Sequence, residues 1–145
     1  GEVPEEEYTI PLGVADIKRA GTDVTIVSFG KIIKEAHKAA DILVKEGIEC
    51  EIIDLRTVRP LDFDTVFASV KKTNRLVILE EAWTFASVSS EITYQVQEHI
   101  FDYLDAPVQR ITTTDTPAPF SSELLKEFLP NADDVVKAVK KVLYK

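Results

Sequence analysis

Buried-strand patterns and helical patterns alternate along this chain. "DVTIVSFG", Asp23 to Gly30, is a β-branched apolar run closed by a glycine and predicts a buried strand. In "KIIKEAHKAADILVKEG", Ile33, Ala36, Ala40, Leu43 and Val44 recur at helical spacing, and Gly47 supplies the stop. "IECEIIDL" predicts the next strand. Pro60 then breaks the chain, and Asp62 is placed to cap a helix over "FDTVFASVKK". "RLVILE" predicts a third buried strand. From Ser87 to about Leu104, Val88, Ile92, Val96 and Ile100 fall four apart on one helical face. "APVQRITTT" predicts a fourth strand, "DTPAPF" a proline-rich loop and "SELLKEFL" a short helix. Asn131 caps a last helix that begins with Asp133 and Asp134 and ends among lysines, as the helix dipole favours.

Strands alternating with helices of this length imply crossover connections and a mainly parallel sheet covered on both faces. The short polar segment "GVADIKRAG" suits an extra edge strand. A tight Ala20-Gly21 turn would join it to an antiparallel neighbour, so the sheet is expected to be mixed. Residues 1–13 read as an extended linker arm and 14–145 as one α/β domain, with a three-layer α/β/α architecture and a five-stranded, mostly parallel sheet.

Composition narrows the function. The net charge of −8 comes with scattered Lys and Arg, except for Lys137, Lys140, Lys141 and Lys145, which disfavours nucleic-acid binding. No apolar run approaches the roughly 20 residues that span a bilayer, so no membrane partner is expected. The one cysteine, Cys50, cannot form an internal disulfide and suits a reducing compartment. Two separated histidines and one cysteine give no metal-ligand spacing. A chain of 145 residues without a methionine predicts a piece of a longer polypeptide.

Three stretches carry candidate chemistry. Gly30 ends a strand before a helix, but "SFGKII" lacks the three glycines of a dinucleotide turn. "DLRTVRPLD" gathers Asp54, Arg56, Arg59 and Asp62 beyond a strand end. The arginines could clamp an anion, or they could pair with nearby acids as a structural charge cluster, which mixed signs favour. "ILEEAWTF" places Glu80 and Glu81 side by side at a strand end. Consecutive strand residues point to opposite faces, so the two carboxylates do not converge as an acid–base pair. One of them could sit half-buried against the helix start near Ser87. Trp83 and Phe85, placed in a following loop, suit an interface. Glu80, Glu81, Trp83 and Phe85 are therefore the candidate subunit contact. His37 and His99 read as surface or rim residues, and no catalytic set is complete.

"VTIVSFG", "GIECEIIDLRTVRPLD", "KKTNRLVILEEAW", "SSEI" and "LDAPVQRITTTDTPAPF" run in the order found in beta subunits of thiamine-diphosphate-dependent 2-oxo acid dehydrogenases, which the chain resembles over essentially its whole length. The pyruvate dehydrogenase branch is the nearest likeness. The resemblance implies a transketolase C-terminal-like domain whose first strand is antiparallel. It implies an oxidoreductase converting pyruvate to carbon dioxide and an acetyl group on a lipoyl arm, with thiamine diphosphate and magnesium held elsewhere in the full enzyme. This segment is then expected to contribute no catalytic, cofactor-binding or metal residue. Implied partners are a second beta subunit, an alpha subunit and the subunit-binding domain of the dihydrolipoyl acetyltransferase. The implied compartment is a bacterial cytoplasm or a mitochondrial matrix. The same domain of a branched-chain 2-oxo acid dehydrogenase or a deoxyxylulose-phosphate synthase, and a stand-alone α/β ligand-binding module, are the alternatives. The chain departs from its relatives at Ala82 and at Ser87 to Ser90, where many carry glycines, while Glu91 keeps an acid at the helix start.

Overall fold

The computed structural model describes residues 3–145, so the first two residues of the expected arm lie outside it. Five strands are present: β1 (Asp16–Arg19), β2 (Val24–Ser28), β3 (Cys50–Asp54), β4 (Leu76–Trp83) and β5 (Gln109–Thr113). They lie in the order β1-β3-β2-β4-β5. Strand β1 is antiparallel to β3 and every other pair is parallel.

Strand alternation sorts the side chains into two cores. Val24, Ile26, Cys50, Ile52, Val77 and Leu79 face one side, where helices α1 (Ile33–Leu43) and α5 (Ala132–Val142) contribute Ala36, Ala40, Leu43, Val135, Val139 and Val142. Val27, Ile53, Leu76 and Ile78 face the other, against Val66 and Val70 of α2 (Phe63–Thr73) and Ile92, Val96 and Ile100 of α3 (Val88–Ile100). The result is three layers. Burial on both faces explains why these strands read as continuous apolar runs. A short helix, α4 (Ser122–Phe128), lies outside both cores and buries none of its residues. Among the described residues no helix is long and apolar enough to cross a membrane.

Local chemistry sets the helix ends. The Asp62 side chain accepts from the Thr65 N–H at 3.0 Å and starts α2. Asn74, in the left-handed region at φ 60°, ends it. Asn131 and Asp134 form a capping box at the start of α5.

The edge strand is antiparallel, as the polar "DIKR" segment led us to expect, but its neighbour is not the one expected. β3 inserts between β1 and β2, so the turn at Ala20-Gly21 joins antiparallel strands that do not pair. The chain instead passes over the start of β3. A Cβ at Gly21 would lie 2.2 Å from the Cys50 carbonyl carbon and 2.3 Å from the Glu51 nitrogen, so only glycine fits. Thr22 and Asp23 then donate their N–H groups to the Glu49 carbonyl, both at 3.0 Å. Sequence spacing records the length of a turn and not which strand later enters beside it.

A polar network lies buried at the amino ends of β2 and β3. The Thr25 hydroxyl bonds Ser69 at 2.6 Å and Thr73 at 2.7 Å. Glu51, 1% exposed, takes hydrogen bonds from the Lys72 ammonium and, at 3.4 Å, from the Gly21 N–H. Burial pushes the Glu51 carboxyl up, but bonds from Lys72, Ser69 and Gly21 outweigh it, so its pKa lies below the ordinary value. Glu51 thereby ties α2 to the crossover at Gly21.

Candidate functional site

Strand β4 runs further than the apolar pattern suggested. It continues through Glu80, Glu81 and Ala82 to Trp83, which pairs with Thr113 of β5. Trp83 is therefore a strand residue and not a loop residue. The register slips between Leu79 and Trp83, where β4 carries two residues more than β5. The extension escaped notice because carboxylates after four apolar residues look like the end of a strand.

Glu80 and Glu81 point to opposite faces and have different surroundings. Glu80 is 0% exposed and faces α3, where its Oε1 accepts from the Ser89 N–H at 3.2 Å. Glu80 is thus the carboxylate expected against the helix start near Ser87, and its place among the surface contact residues is corrected: the side chain lies fully inside the domain. The reason is local. Ser87 occupies the N-cap position of α3 but makes no capping bond, so the Glu80 carboxylate meets an orphan N–H of that helix and its positive end. The other oxygen, Oε2, has no hydrogen-bond partner. Glu81, on the opposite face, is exposed.

Around them is a polar crown. Thr84 and Thr112 share a hydrogen bond of 2.7 Å. Arg110 donates to the Thr84 carbonyl at 3.0 Å and to the Ser90 hydroxyl at 2.6 Å. Ala86, in the left-handed region at φ 54°, turns the chain from the strand into α3. On this crown Trp83 is 54% exposed, with its indole N–H fixed to the Thr116 carbonyl at 3.1 Å, and Phe85 is 86% exposed. Phe120, in the loop before α4, has its whole side chain in solvent. Three large aromatic side chains at one end of the sheet are thus open to water, one of them held rigidly.

The charge cluster after β3 has internal partners. Arg56 donates its backbone N–H to Asp54 at 3.0 Å and its guanidinium to Asp16 of β1 at 2.6 Å. A hydrogen bond from Lys18, opposed by burial and helped by Arg56, holds the Asp16 carboxyl below the usual carboxylate range. Asp62 Oδ2 takes the Ala15 N–H at 2.9 Å and the Thr65 hydroxyl at 2.7 Å. Burial raises its pKa, the bonds from Ala15 and Thr65 lower it, and the net shift is downward. Gly13 donates its N–H to the Thr57 hydroxyl at 3.0 Å. Arg59 forms no ion pair among the described residues. It lines a cleft with Glu91, Val58, Leu61, Phe63 and Val88.

Among the described residues neither histidine forms an ion pair with these groups. His99 stacks on Phe67 at 5.5 Å and bonds the Gln95 carbonyl, one turn earlier in α3. Burial pushes the Cys50 thiol up to about 12, which leaves it un-ionised and unreactive. Lys31 and Thr113, which sequence reasoning passed over, line a cleft beside Trp83. Only a strand-ending "FGK" hinted at the former.

The sequence profile of the transketolase C-terminal domain matches residues 13–135. Among curated proteins the chain is similar to the pyruvate dehydrogenase E1 component subunit beta of Rickettsia felis, 52% identical over 99% of this chain and 44% of that protein. It is also similar to the beta subunit of acetoin:2,6-dichlorophenolindophenol oxidoreductase of Bacillus subtilis, 48% identical over 99% of this chain and 42% of that protein. Among solved structures it is similar to a split-gene transketolase in an inactive beta4 tetramer, with a TM-score of 0.83 and 28% identity, covering 99% of this chain and 46% of that one. The chain thus spans less than half the length of each of these relatives.

Proposed function

Because the chain belongs to the transketolase C-terminal domain family, we propose that it serves as the C-terminal domain of the beta subunit of a thiamine-diphosphate-dependent pyruvate dehydrogenase. In this reading the enzyme oxidatively decarboxylates pyruvate and passes the acetyl group to a lipoyl arm. The segment itself holds subunits together and offers a docking face. The observation that carries the reading is the similarity to a pyruvate dehydrogenase beta subunit over 99% of this chain. The exposed Trp83 and Phe85 support the assembly role, since large aromatic anchors at subunit contacts each contribute about 2 kcal/mol or more. Glu81 joins them on the surface. Glu80 acts from beneath, by fixing the start of α3 under the loop that carries Phe85.

The residues present do not fit a magnesium diphosphate. Among those described, no three His, Cys, Asp or Glu side chains come together to hold a metal ion. The strand-to-helix turn at Gly30 has one glycine and no phosphate cradle. In the proposed reading the cofactor is held by the remainder of a full-length subunit and its alpha partner. Proposed partners are a second beta subunit, the alpha subunit and the subunit-binding domain of the acetyltransferase.

A domain exchange tests this. The corresponding segment of a pyruvate dehydrogenase beta subunit is replaced by this chain and co-expressed with its alpha subunit. Assembly and pyruvate decarboxylation should be retained. An insoluble or unassembled product, where a parallel exchange with another family member assembles, would overturn the assignment. The 48% identity to an acetoin oxidoreductase beta subunit favours a second reading with acetoin as substrate. The same exchange made in that protein compares the two by assembly yield.

A further inference from the structure

The two edges of the sheet differ. β1, at one edge, carries Asp16, Lys18 and Arg19, and its register is irregular between Ile17 and Arg19. Charges and bulges of this kind keep an edge from pairing with another chain. β5, at the other edge, has β4 as its single neighbour. It runs from Gln109 to Thr113 without a proline, and its one charge, Arg110, is engaged by the Thr84 carbonyl and the Ser90 hydroxyl. Among the described residues none of its backbone groups bonds any backbone outside β4. A row of N–H and C=O groups therefore lies open along this edge.

The surface beside the edge carries no unpaired charge. α3 lies over β4 and β5: Ile92 shares a core with Ile78 and Val108, and the Ser90 hydroxyl accepts from Arg110. The flank of α3 on the β5 side presents Thr93, Gln97 and Phe101, which line a cleft of about 460 Å³ with Pro107 and Val108. The one acid of that cleft, Asp105, pairs with Arg75 at 3.2 Å. Phe101 is 57% exposed, so this flank has no cover within the domain. Two copies of a chain with net charge −8 repel each other, and they can approach only where like charges are not opposed.

We infer that β5 pairs antiparallel with β5 of a second copy of this chain, joining the two sheets into one. With the symmetry axis at Ile111, Ile111 meets its own copy, Gln109 meets Thr113 and Arg110 meets Thr112, so no like charges are opposed across the seam. Neighbouring strands lie about 4.8 Å apart, and each α3 stands over β4 and β5, so two strand spacings, or ~10 Å, separate the two α3 helices. That is the distance at which helices pack. Ser90, level with Arg110, and Thr93 stand nearest the axis, and both are small enough to allow the approach. A strand from another protein would satisfy the same backbone groups but would bring no helix to lie beside α3, whereas a second copy supplies both. The seam uses neither Trp83 nor Phe85 and rests on no part of the pyruvate dehydrogenase reading.

The test is sedimentation equilibrium of the 145-residue chain, with residue-resolved amide exchange below and above the dissociation constant. The chain should dimerise with a Kd of about 100 µM or tighter. In the dimer alternate amides of Gln109–Thr113 should become protected, while those of β1 should not change. Thr112→Lys combined with Thr93→Lys sets cations against each other across the axis and should weaken the dimer at least about tenfold. Trp83→Ala with Phe85→Ala should leave it unchanged, which separates this seam from the contact of the proposed function. A chain that stays monomeric at ~500 µM overturns the inference and leaves the edge to a strand of another protein. A dimer whose β5 amides exchange as in the monomer overturns it, and so does a dimer abolished by the Trp83 and Phe85 pair. It is equally overturned if the paired Lys substitutions, in a chain shown to be folded by circular dichroism, leave the dimer intact. Exchange on the unaltered chain decides the matter should a variant not fold.

Discussion

Replacing Asp62 by alanine should destabilise the domain by about 2 kcal/mol. One oxygen of this carboxylate caps α2 through the Thr65 N–H, and the other holds the Ala15 N–H at the entry to β1. Loss of an N-cap costs about 1 kcal/mol. An Ala15 N–H left part-buried without its acceptor adds about 1 kcal/mol. For a domain of 145 residues the sum corresponds to a Tm fall of about 6 °C. Asp62→Asn keeps one acceptor oxygen for the cap but turns an N–H₂ towards Ala15, so it should lose about half as much. The folded-state pKa of Asp62 lies below its ordinary value. Its contribution is therefore complete above the unfolded-state pKa of about 4 and is lost as pH falls through the folded value. Urea unfolding of the parent and both variants at pH 7 and near pH 3 measures the effect, and the gap between Asp62→Ala and parent should narrow at the lower pH. Amide exchange should show Ala15 deprotected in Asp62→Ala. A variant within ~0.5 kcal/mol of the parent at pH 7, with Ala15 still protected, would refute the reasoning and return the acid to the pool of free functional groups.

Other expectations follow from the same structure. Gly21→Ala should lose about 3 kcal/mol or fail to fold, because the clashing atoms are all backbone; urea unfolding within ~0.5 kcal/mol of the parent would contradict the crossover over β3. Arg56→Ala should cost about 1 kcal/mol or less, since Arg56 and Asp16 are both partly solvated, and the loss should shrink in high salt; a salt-independent loss would mean that the ion pair is not the cause. Trp83 should emit as a partly hydrated indole and be quenched by acrylamide in the isolated chain; a blue, unquenched signal at low concentration would show that its exposed face is covered.

Much of this fold was legible because apolar runs and capping residues are local signals. Asp62 and Asn131 announced two helix starts, and burial on both faces of the sheet made β2, β3 and β4 plain. What escaped is non-local. That β3 enters between β1 and β2 leaves no trace in the spacing of Ala20 and Gly21. The sequence allowed for one of the two carboxylates half-buried against the helix start near Ser87; it did not say which, and Glu80 lies deeper than that, with the Ser89 N–H donating to one of its oxygens. The opposite-face argument did anticipate that Glu80 and Glu81 would part. The cleft at Lys31, Glu81 and Thr113 depends on three segments far apart in sequence, and only the sheet order brings them to one place.

In the proposed function Trp83 and Phe85 form an assembly contact while the chemistry lies outside this segment. The most direct measurement is sedimentation velocity of the domain-exchanged pyruvate dehydrogenase carrying Trp83→Ala and Phe85→Ala, with activity measured on the assembled fraction. The paired substitution should weaken assembly at least about tenfold and leave the activity of whatever remains assembled unchanged. Full assembly with unchanged affinity, or an assembled enzyme that has lost activity, would contradict the account.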